Sequence, residues 1–176
     1  MGEADPTPSQ TVGPFFDIGL RWLHTPELVG PCVPGAIRIA GQVFDGVGDP
    51  IPDAVIEVFQ ADQHGRFPPD TESAWCGFGR CLSDESGRYH FVTVKPGPVE
   101  PGAAPHIALS VFARGLLQRL VTRCYFADEE RANADDPLLR SIAGDLAATL
   151  LAQADERTYH FDVRVQGAKE TAFFAW

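Results

Sequence analysis

The segment YHFDVRVQ, residues 159–166, decides the fold class because apolar and polar side chains alternate along it without a break. Residues two apart share one face of a β-strand, so this run predicts a strand with one buried and one solvated face. The side chains expected in the core are those of Tyr159, Phe161, Val163 and Val165.

Short runs of β-forming residues precede this segment and predict a domain built almost wholly from strands. The 17 glycines and 15 prolines lie mostly between these runs, as is typical of turns. The turn SDESG, residues 83–87, is expected to join two of the runs as a hairpin. The runs are AIRIAGQVF (36–44), AVIEVFQ (54–60), GRCL (79–82), RYHFVTV (88–94), residues 106–113 and QRLVTRCYF (118–126).

One short helix is expected late in the chain. Asp136 is a good N-cap, Pro137 suits the first helical position, and Leu and Ile recur at helical spacing as far as Leu150. Many short strands and one late helix favour an all-β fold, a β-sandwich with a helix packed on it.

No internal repeat or linker divides the chain, so we expect a single domain over residues 1–176. Residues 1–35, rich in Pro and Gly, are expected to form an extended N-terminal arm on a core of residues 36–176. Such an arm either serves an interface or is a frayed terminus.

The charge balance argues against two classes of partner. With 24 acidic and 14 basic residues the formal net charge is −10, and the pI is about 4.8. Nucleic acid and anionic membranes both attract clustered Lys and Arg, so neither is expected as a partner. The sequence also has no signal-peptide pattern and no apolar run of roughly 20 residues, which favours a cytoplasmic protein.

The spacing of Cys, His and Ser shows no assembled active site. The four cysteines lack metal-site spacing, and we expect them to be reduced and buried. His106 would be the first of two ligands at i and i+2 on a strand, but Ala108 occupies the second position. A lone histidine is more often a structural residue than a ligand.

Four blocks, in order, carry a family resemblance that covers most of the chain, and the tail YHFDVRVQGAKETAFF (159–174) also fits. Together they resemble the intradiol ring-cleaving dioxygenases, and more narrowly the alpha-type chains of that family. The blocks are TPSQTVGPFF (7–16), GQVFDGVGDPIPDAVIEVFQADQHGRF (41–67), FGRCLSDESGRYHFVTVKPGPV (78–99) and APHIALSVFARGLLQRLVTRCYFADE (104–129).

The resemblance implies a mixed β-sandwich of the intradiol dioxygenase type. It also implies an enzyme that cleaves a small aromatic diol between its hydroxyl carbons and incorporates both atoms of O₂. The expected substrate is protocatechuate and the expected product 3-carboxy-cis,cis-muconate. Catalytic chains of the family hold a non-haem Fe(III) with two Tyr and two His, and phenolates suit this hard cation.

This chain departs from that ligand set. The two Tyr positions hold Phe67 and Val99, His106 is kept, and Ala108 stands where its partner His belongs. One donor of four remains, too few to hold ferric iron. The resemblance therefore implies that no metal is bound by this chain. Taken alone, without the resemblance, Phe67 and Val99 would be interpreted as ordinary packing residues of the sandwich.

In the family such a chain pairs with a homologous iron-bearing beta chain, and alpha-beta units build a higher-order hetero-oligomer. The resemblance implies that the beta chain binds the Fe(III) and that this chain completes the wall of its substrate pocket. The residues expected there are Thr11, Gly13, Pro14, Phe15 and Arg114; family alpha chains often have Tyr where Phe15 stands.

Arg114 is expected to bind the carboxylate of the substrate. A straight strand would carry it about 26 Å from His106, which favours a site on another chain. Two simpler interpretations stay open: an exposed salt bridge for Arg114, and an anchoring role for the arm's two phenylalanines.

Two other function classes also stay open. One is a self-sufficient hydrolase or metal enzyme that uses His64, His90 and Asp84. The other is a stand-alone β-sandwich binding module without catalytic activity.

Overall fold

The computed structural model describes residues 10–13, 15–20, 25–68 and 75–175, and within them the chain forms nine strands and four short helices. The strands are β1 Ala36–Phe44, β2 Val55–Phe59, β3 Phe78–Leu82, β4 Arg88–Val94, β5 His106–Phe112, β6 Leu120–Phe126, β7 Leu151–Asp155, β8 Thr158–His160 and β9 Val163–Arg164. The helices are α1 Phe15–Leu20, α2 Glu130–Asp135, α3 Pro137–Ser141 and α4 Gly144–Ala148.

The strands form two layers that share β7. One layer has the order β3-β2-β5-β6-β7 and the other the order β7-β8-β1-β4, with β9 beside β1. The β6–β7, β1–β8 and β1–β9 pairs are parallel and the others antiparallel. The expected mixed β-sandwich is therefore confirmed.

The core lies between the two layers and follows the alternation of the sequence. In β5 the buried residues are Ile107, Leu109 and Val111, while His106 and Ala108 lie on the outer face. Apolar side chains of both layers meet in one cluster, and each fully buried one stabilises the fold by ~2 kcal/mol.

The N-terminal segment is not extended throughout, because it contains α1 and then pairs with two strand edges. Thr25 exchanges backbone hydrogen bonds with Arg80 on β3, and Leu28 donates to Val92 on β4. β3 and β4 end the two layers, so this segment satisfies backbone groups that an edge strand would leave open.

The expected hairpin between residues 79–82 and 88–94 is wrong. Asp84 does organise a tight turn, since its carboxylate accepts from the backbone N–H groups of Ser86 and Arg88. The strands then separate, because β3 pairs with β2 whereas β4 pairs with β1 in the other layer. The turn chemistry was readable in the sequence, but the strand partners were not.

The single late helix is also wrong, because three short helices occupy this region. Asp136 caps α3 as expected, accepting from the N–H groups of Leu138 and Leu139. The helix then stops because Ile142 and Ala143 adopt extended backbone, and residues beyond Ala148 enter β7 instead of continuing to Leu150. Tertiary packing overrides the helical spacing here, since Leu150 is fully buried in a second cluster with Tyr125 and Leu139.

Two smaller expectations need correction. The run 159–166 alternates in burial as expected through Val163, but it forms two strands, β8 and β9, rather than one. Of the four thiols, Cys81 and Cys124 are buried, whereas Cys32 and Cys76 are exposed. Burial raises the pKa of the Cys124 thiol, which keeps it protonated and unreactive.

Candidate functional site

Two loops bring the positions of Phe67 and Val99 together. Gly65, with φ of +76°, lies so close to the Pro98 carbonyl that a Cβ there would be 2.0 Å from its oxygen. The N–H of Gly97 donates to the Asp62 carbonyl at 2.9 Å, which fastens the second loop to the first. The two positions that the resemblance maps to family Tyr thus lie on loops that are packed against each other.

The other two mapped positions, His106 and Ala108, lie on β5, and a row of outward-facing residues connects Ala108 to the loop that carries Phe67. Ala108 on β5 is paired with Phe59 on β2 and with Arg123 on β6. The ring of Phe67 stacks on that of Phe59, with centroids 5.2 Å apart and planes 9° from parallel. The structure therefore gathers the four mapped positions into one region of the outer face.

The donors present in this region do not fit ferric iron. Phe67, Val99 and Ala108 offer no electron pair, and His106 Nδ1 already lies 3.0 Å from the carbonyl oxygen of Ala104. Arg123, directly across from Ala108, adds a positive charge that opposes a cation. In the described ranges, no group of three or more His, Cys, Asp or Glu side chains is placed to hold a metal.

His106 has the electrostatics of a structural histidine. Burial lowers the pKa of His106, and the charge of Arg123 lowers it further. Its ring packs on that of Tyr125, with centroids 5.4 Å apart. The imidazole is therefore uncharged at neutral pH and is held by its neighbours.

The expectation that Phe67 is an ordinary packing residue is wrong. Its side chain is 48% exposed, and Phe59 and Phe78 beside it are 44% and 37% exposed. Phe59 and Phe78 are cross-strand partners, so the three rings form one continuous surface. We call Phe59, Phe67 and Phe78 the aromatic surface.

The arm and Arg114, which the sequence separates by about 100 residues, meet in the structure. The Thr11 hydroxyl accepts a hydrogen bond from the backbone N–H of Gly115 at 2.9 Å. A small surface pocket of about 150 Å³ near this contact is lined by arm residues Gln10 and Val12, by residues 112–113 and by residues 116–119. The arm is therefore attached to the turn that carries Arg114.

Arg114 forms an ion pair with Asp53, whose Oδ2 lies 2.8 Å from its Nε. Asp53 and Arg114 lie in turns, each two residues beyond the last β2–β5 pair, Val55–Phe112. Arg114 therefore lies past the end of β5, six residues after Ala108, which corresponds to about 20 Å of extended chain. The exposed salt bridge that was one interpretation of Arg114 from the sequence is therefore present. The Asp53 carboxylate contacts Nε of the guanidinium.

The remaining predicted pocket residues are Gly13, Pro14 and Phe15, and the structure describes only two of them. Gly13 is exposed, and none of the residues that the structure describes lies within 4 Å of the position of a Cβ there, so none of them requires a glycine at this position. Phe15 begins α1, and Pro14 lies outside the described residues.

Sequence reasoning missed Asp53, and it missed the hydrogen bond that the buried Asp136 carboxylate accepts from the Ala104 N–H. Asp53 has a φ of 63°, and an Asp between Pro52 and a β-forming run was a turn signal without a visible partner. Its pairing with Arg114 depends on strand register, which the sequence did not give.

The alternative constellation of His64, His90 and Asp84 is divided between two places. His90 and Asp84 line a groove of about 500 Å³ along β1 and β4. His64 lines another pocket, beside Trp75 and Val94. This arrangement gives no support to a shared catalytic site.

Among the described residues, no helix is both long enough and apolar enough to cross a membrane.

Comparison with known proteins identifies the relatives of this chain. A family model described as Dioxygenase matches residues 30–167. The protocatechuate 3,4-dioxygenase alpha chain of Burkholderia cepacia is 42% identical, over 96% of each chain. The beta chain from the same organism is 31% identical over 77% of this chain and 66% of its own length.

A solved structure agrees with these sequence relatives. The dioxygenase domain of a carbohydrate-binding fusion protein from Streptomyces sp. SirexAA-E superposes with a TM-score of 0.63 at 26% identity, over 93% of this chain and all of that one. On this sequence and structural evidence, the chain belongs to the intradiol ring-cleaving dioxygenase family.

Proposed function

We propose that this chain is the alpha-type subunit of a protocatechuate 3,4-dioxygenase, with the Fe(III) held by a homologous beta chain. The full-length similarity to an alpha chain supports this assignment, and so does the similarity to a beta chain. The observation that carries it is the donor set: three of the four mapped ligand positions hold Phe67, Val99 and Ala108, which cannot bind a metal.

The assembled enzyme cleaves protocatechuate with O₂ to 3-carboxy-cis,cis-muconate. The carbon–carbon bond between the two hydroxyl carbons breaks, and each of those carbons gains one oxygen atom from O₂. An Fe(III) held by the beta chain would supply the activation of the diol for attack by O₂. This chain contributes binding and orientation to that reaction.

Arg114 binds the substrate carboxylate in the partner's pocket. Its side chain is 54% exposed although Asp53 holds one edge, so its outer nitrogens can reach another molecule. A guanidinium binds a carboxylate through charge-assisted hydrogen bonds, which are about twice as strong as neutral ones. The arm residues Thr11, Gly13, Pro14 and Phe15 form the adjoining pocket wall, and the Thr11–Gly115 contact keeps the arm next to Arg114.

The net charge of −10 repels an anionic substrate at long range. Charge interactions are screened over about 8 Å at physiological salt, so a local cation outweighs the distant negative charge. This is a further reason why a positive group such as Arg114 belongs at the pocket.

The aromatic surface supports assembly with another chain. Three neighbouring phenylalanine rings are unusual on a monomer's surface, and such patches mark protein interfaces. We therefore assign the aromatic surface to the interface with the beta-type chain. Alpha-beta units then assemble into a higher-order hetero-oligomer.

The first experiment compares this chain purified alone with the chain co-expressed with its beta-type partner. We expect iron, visible colour and protocatechuate-dependent O₂ uptake only in the co-expressed complex. Iron and ring cleavage in the homogeneous isolated chain would contradict the proposal.

The second experiment replaces Arg114 by Ala within the complex. We expect the KM for protocatechuate to rise about tenfold, since charge-assisted hydrogen bonds are worth roughly 1.5–3 kcal/mol and an exposed one lies at the low end. The KM for catechol, which has no carboxylate, should change less than twofold. An equal rise for both substrates would remove the charge role of Arg114.

A further inference from the structure

We infer that Asp53 is a positioning residue for substrate selection: it fixes the guanidinium of Arg114 so that its outer nitrogens face the carboxylate of a carboxylated catechol. This inference rests on the proposed role of Arg114. It adds a second residue of the same chain to the determinants of specificity.

The ion pair leaves the outer edge of the guanidinium available. Oδ2 of Asp53 lies 2.8 Å from Nε of Arg114, which is the nitrogen nearest the strand. The two terminal nitrogens are then the donors that remain, and they have the spacing of the two oxygens of a carboxylate. The exposure of the two side chains, 54% for Arg114 and 21% for Asp53, shows that Asp53 is the inner member of the pair.

Asp53 stands on a rigid base. The hydroxyl of Ser83 donates to the Ile51 carbonyl at 2.9 Å and accepts from the Ala54 N–H at 2.9 Å. The Ser83 N–H in turn donates to the Ala54 carbonyl at 2.8 Å. Ser83 is only 8% exposed, so these contacts attach both sides of the Asp53 turn to the core.

The backbone of Asp53 limits which residues fit at this position. Its φ of 63° lies in the left-handed region, which glycine adopts without strain and asparagine tolerates well. A glycine would suit this turn conformationally but would leave Nε of Arg114 without the carboxylate. The residue present is the one that retains the ion pair.

The same turn also fixes the arm. Gly115, the residue after Arg114, donates to Thr11 at 2.9 Å. Asp53, Arg114 and the arm therefore form one continuous set of contacts that begins at the buried Ser83. A movement of Arg114 would alter the position of the carboxylate-binding group relative to the pocket wall.

Two replacements of Asp53 separate its charge from its hydrogen-bond acceptor. Asp53→Asn keeps an oxygen for Nε and the left-handed backbone but removes the negative charge. We expect the KM for protocatechuate to equal that of the wild-type complex or to fall up to threefold. Asp53→Gly removes the acceptor without backbone strain, and here we expect this KM to rise at least threefold, with kcat within twofold.

The measured quantity is the ratio of the KM values for protocatechuate and catechol. A purely structural role of Asp53 would leave this ratio unchanged. This ratio should rise in Asp53→Gly and should rise no further in the double variant Asp53→Gly/Arg114→Ala than in Arg114→Ala alone. Arg131→Ala, an exposed charge change on α2, should leave the ratio unchanged and serves as the control.

The inference would be overturned if Asp53→Gly left the ratio of the KM values for protocatechuate and catechol unchanged. It would also be overturned if, in the double variant, the change in this ratio equalled the product of the changes in the two single variants. If the Asp53→Gly variant fails to assemble, the Asp53→Asn variant provides the test. A raised KM for protocatechuate in Asp53→Asn would then overturn the inference. An Arg114→Ala complex with an unchanged ratio would instead refute the proposed role of Arg114 itself, which distinguishes the two failures.

Discussion

Replacing Asp136 by Ala should destabilise the protein strongly because this carboxylate joins the entry of β5 to the helical layer. Asp136 is 1% exposed. Its Oδ1 accepts from the backbone N–H groups of Leu138 and Leu139 at 2.9 and 3.0 Å, and its Oδ2 accepts from that of Ala104 at 2.8 Å. Ala104 lies two residues before His106, so the contact also helps to set where β5 begins.

The magnitude follows from the groups left without partners. Loss of an N-cap side chain costs about 1 kcal/mol. The N–H of Ala104, a residue with 0% exposure, would become a buried unsatisfied donor at a cost of about 2 kcal/mol. Together these give about 3 kcal/mol, and for a domain of this size each kcal/mol lowers Tm by roughly 3 °C. We therefore expect Tm to fall by about 9 °C.

Calorimetry of the co-purified complex at fixed protein concentration measures this shift. Asp136→Asn is the matched control, because its amide oxygen still accepts from one side; we expect it to lose about half as much stability. A Tm within 2 °C of the wild type for Asp136→Ala would refute the reasoning. So would a larger loss for Asp136→Asn than for Asp136→Ala.

Two further predictions concern His106 and the aromatic surface. Burial lowers the pKa of His106 in the folded chain below its unfolded value of about 6.5. As the pH drops below that value, the unfolded chain binds a proton more readily than the folded chain, so the free energy of unfolding decreases. Chemical denaturation at pH 7.5 and pH 5 should show that His106→Gln loses less stability over this interval than the wild type; an identical loss would contradict the assignment. Phe59→Glu places a charge in the aromatic surface and should reduce recovery of the partner chain at least threefold in co-purification, whereas the exposed Val47→Glu should not. Equal recovery of the partner in both variants would exclude this surface from the interface.

The sequence was sufficient for the fold class, and it led to the hypothesis that the iron ligands are lost. Alternation in β1 and β5 gave strands whose bounds fit the structure closely, because side-chain periodicity is a local property of the chain. The family resemblance then placed Phe67, Val99 and Ala108 at ligand positions, and the absence of donor atoms there can be read without coordinates.

The sequence was insufficient wherever distant segments choose their partners. The turn at Asp84 was recognisable, yet β3 and β4 joined different layers. The helix beginning at Pro137 was capped as expected, yet it stopped at Ser141 because the following residues pack elsewhere. Exposure of Phe67 was also unpredictable, since it depends on what the rest of the sheet covers.

By itself, then, the sequence determined the strands and the missing donors, because periodicity and side-chain chemistry belong to each residue. Only the tertiary structure decided that Asp53 faces Arg114 and that Thr11 meets Gly115. Those contacts depend on strand register and on the docking of a distant arm, which are set by the free energy of the whole packed chain. No local pattern encodes them.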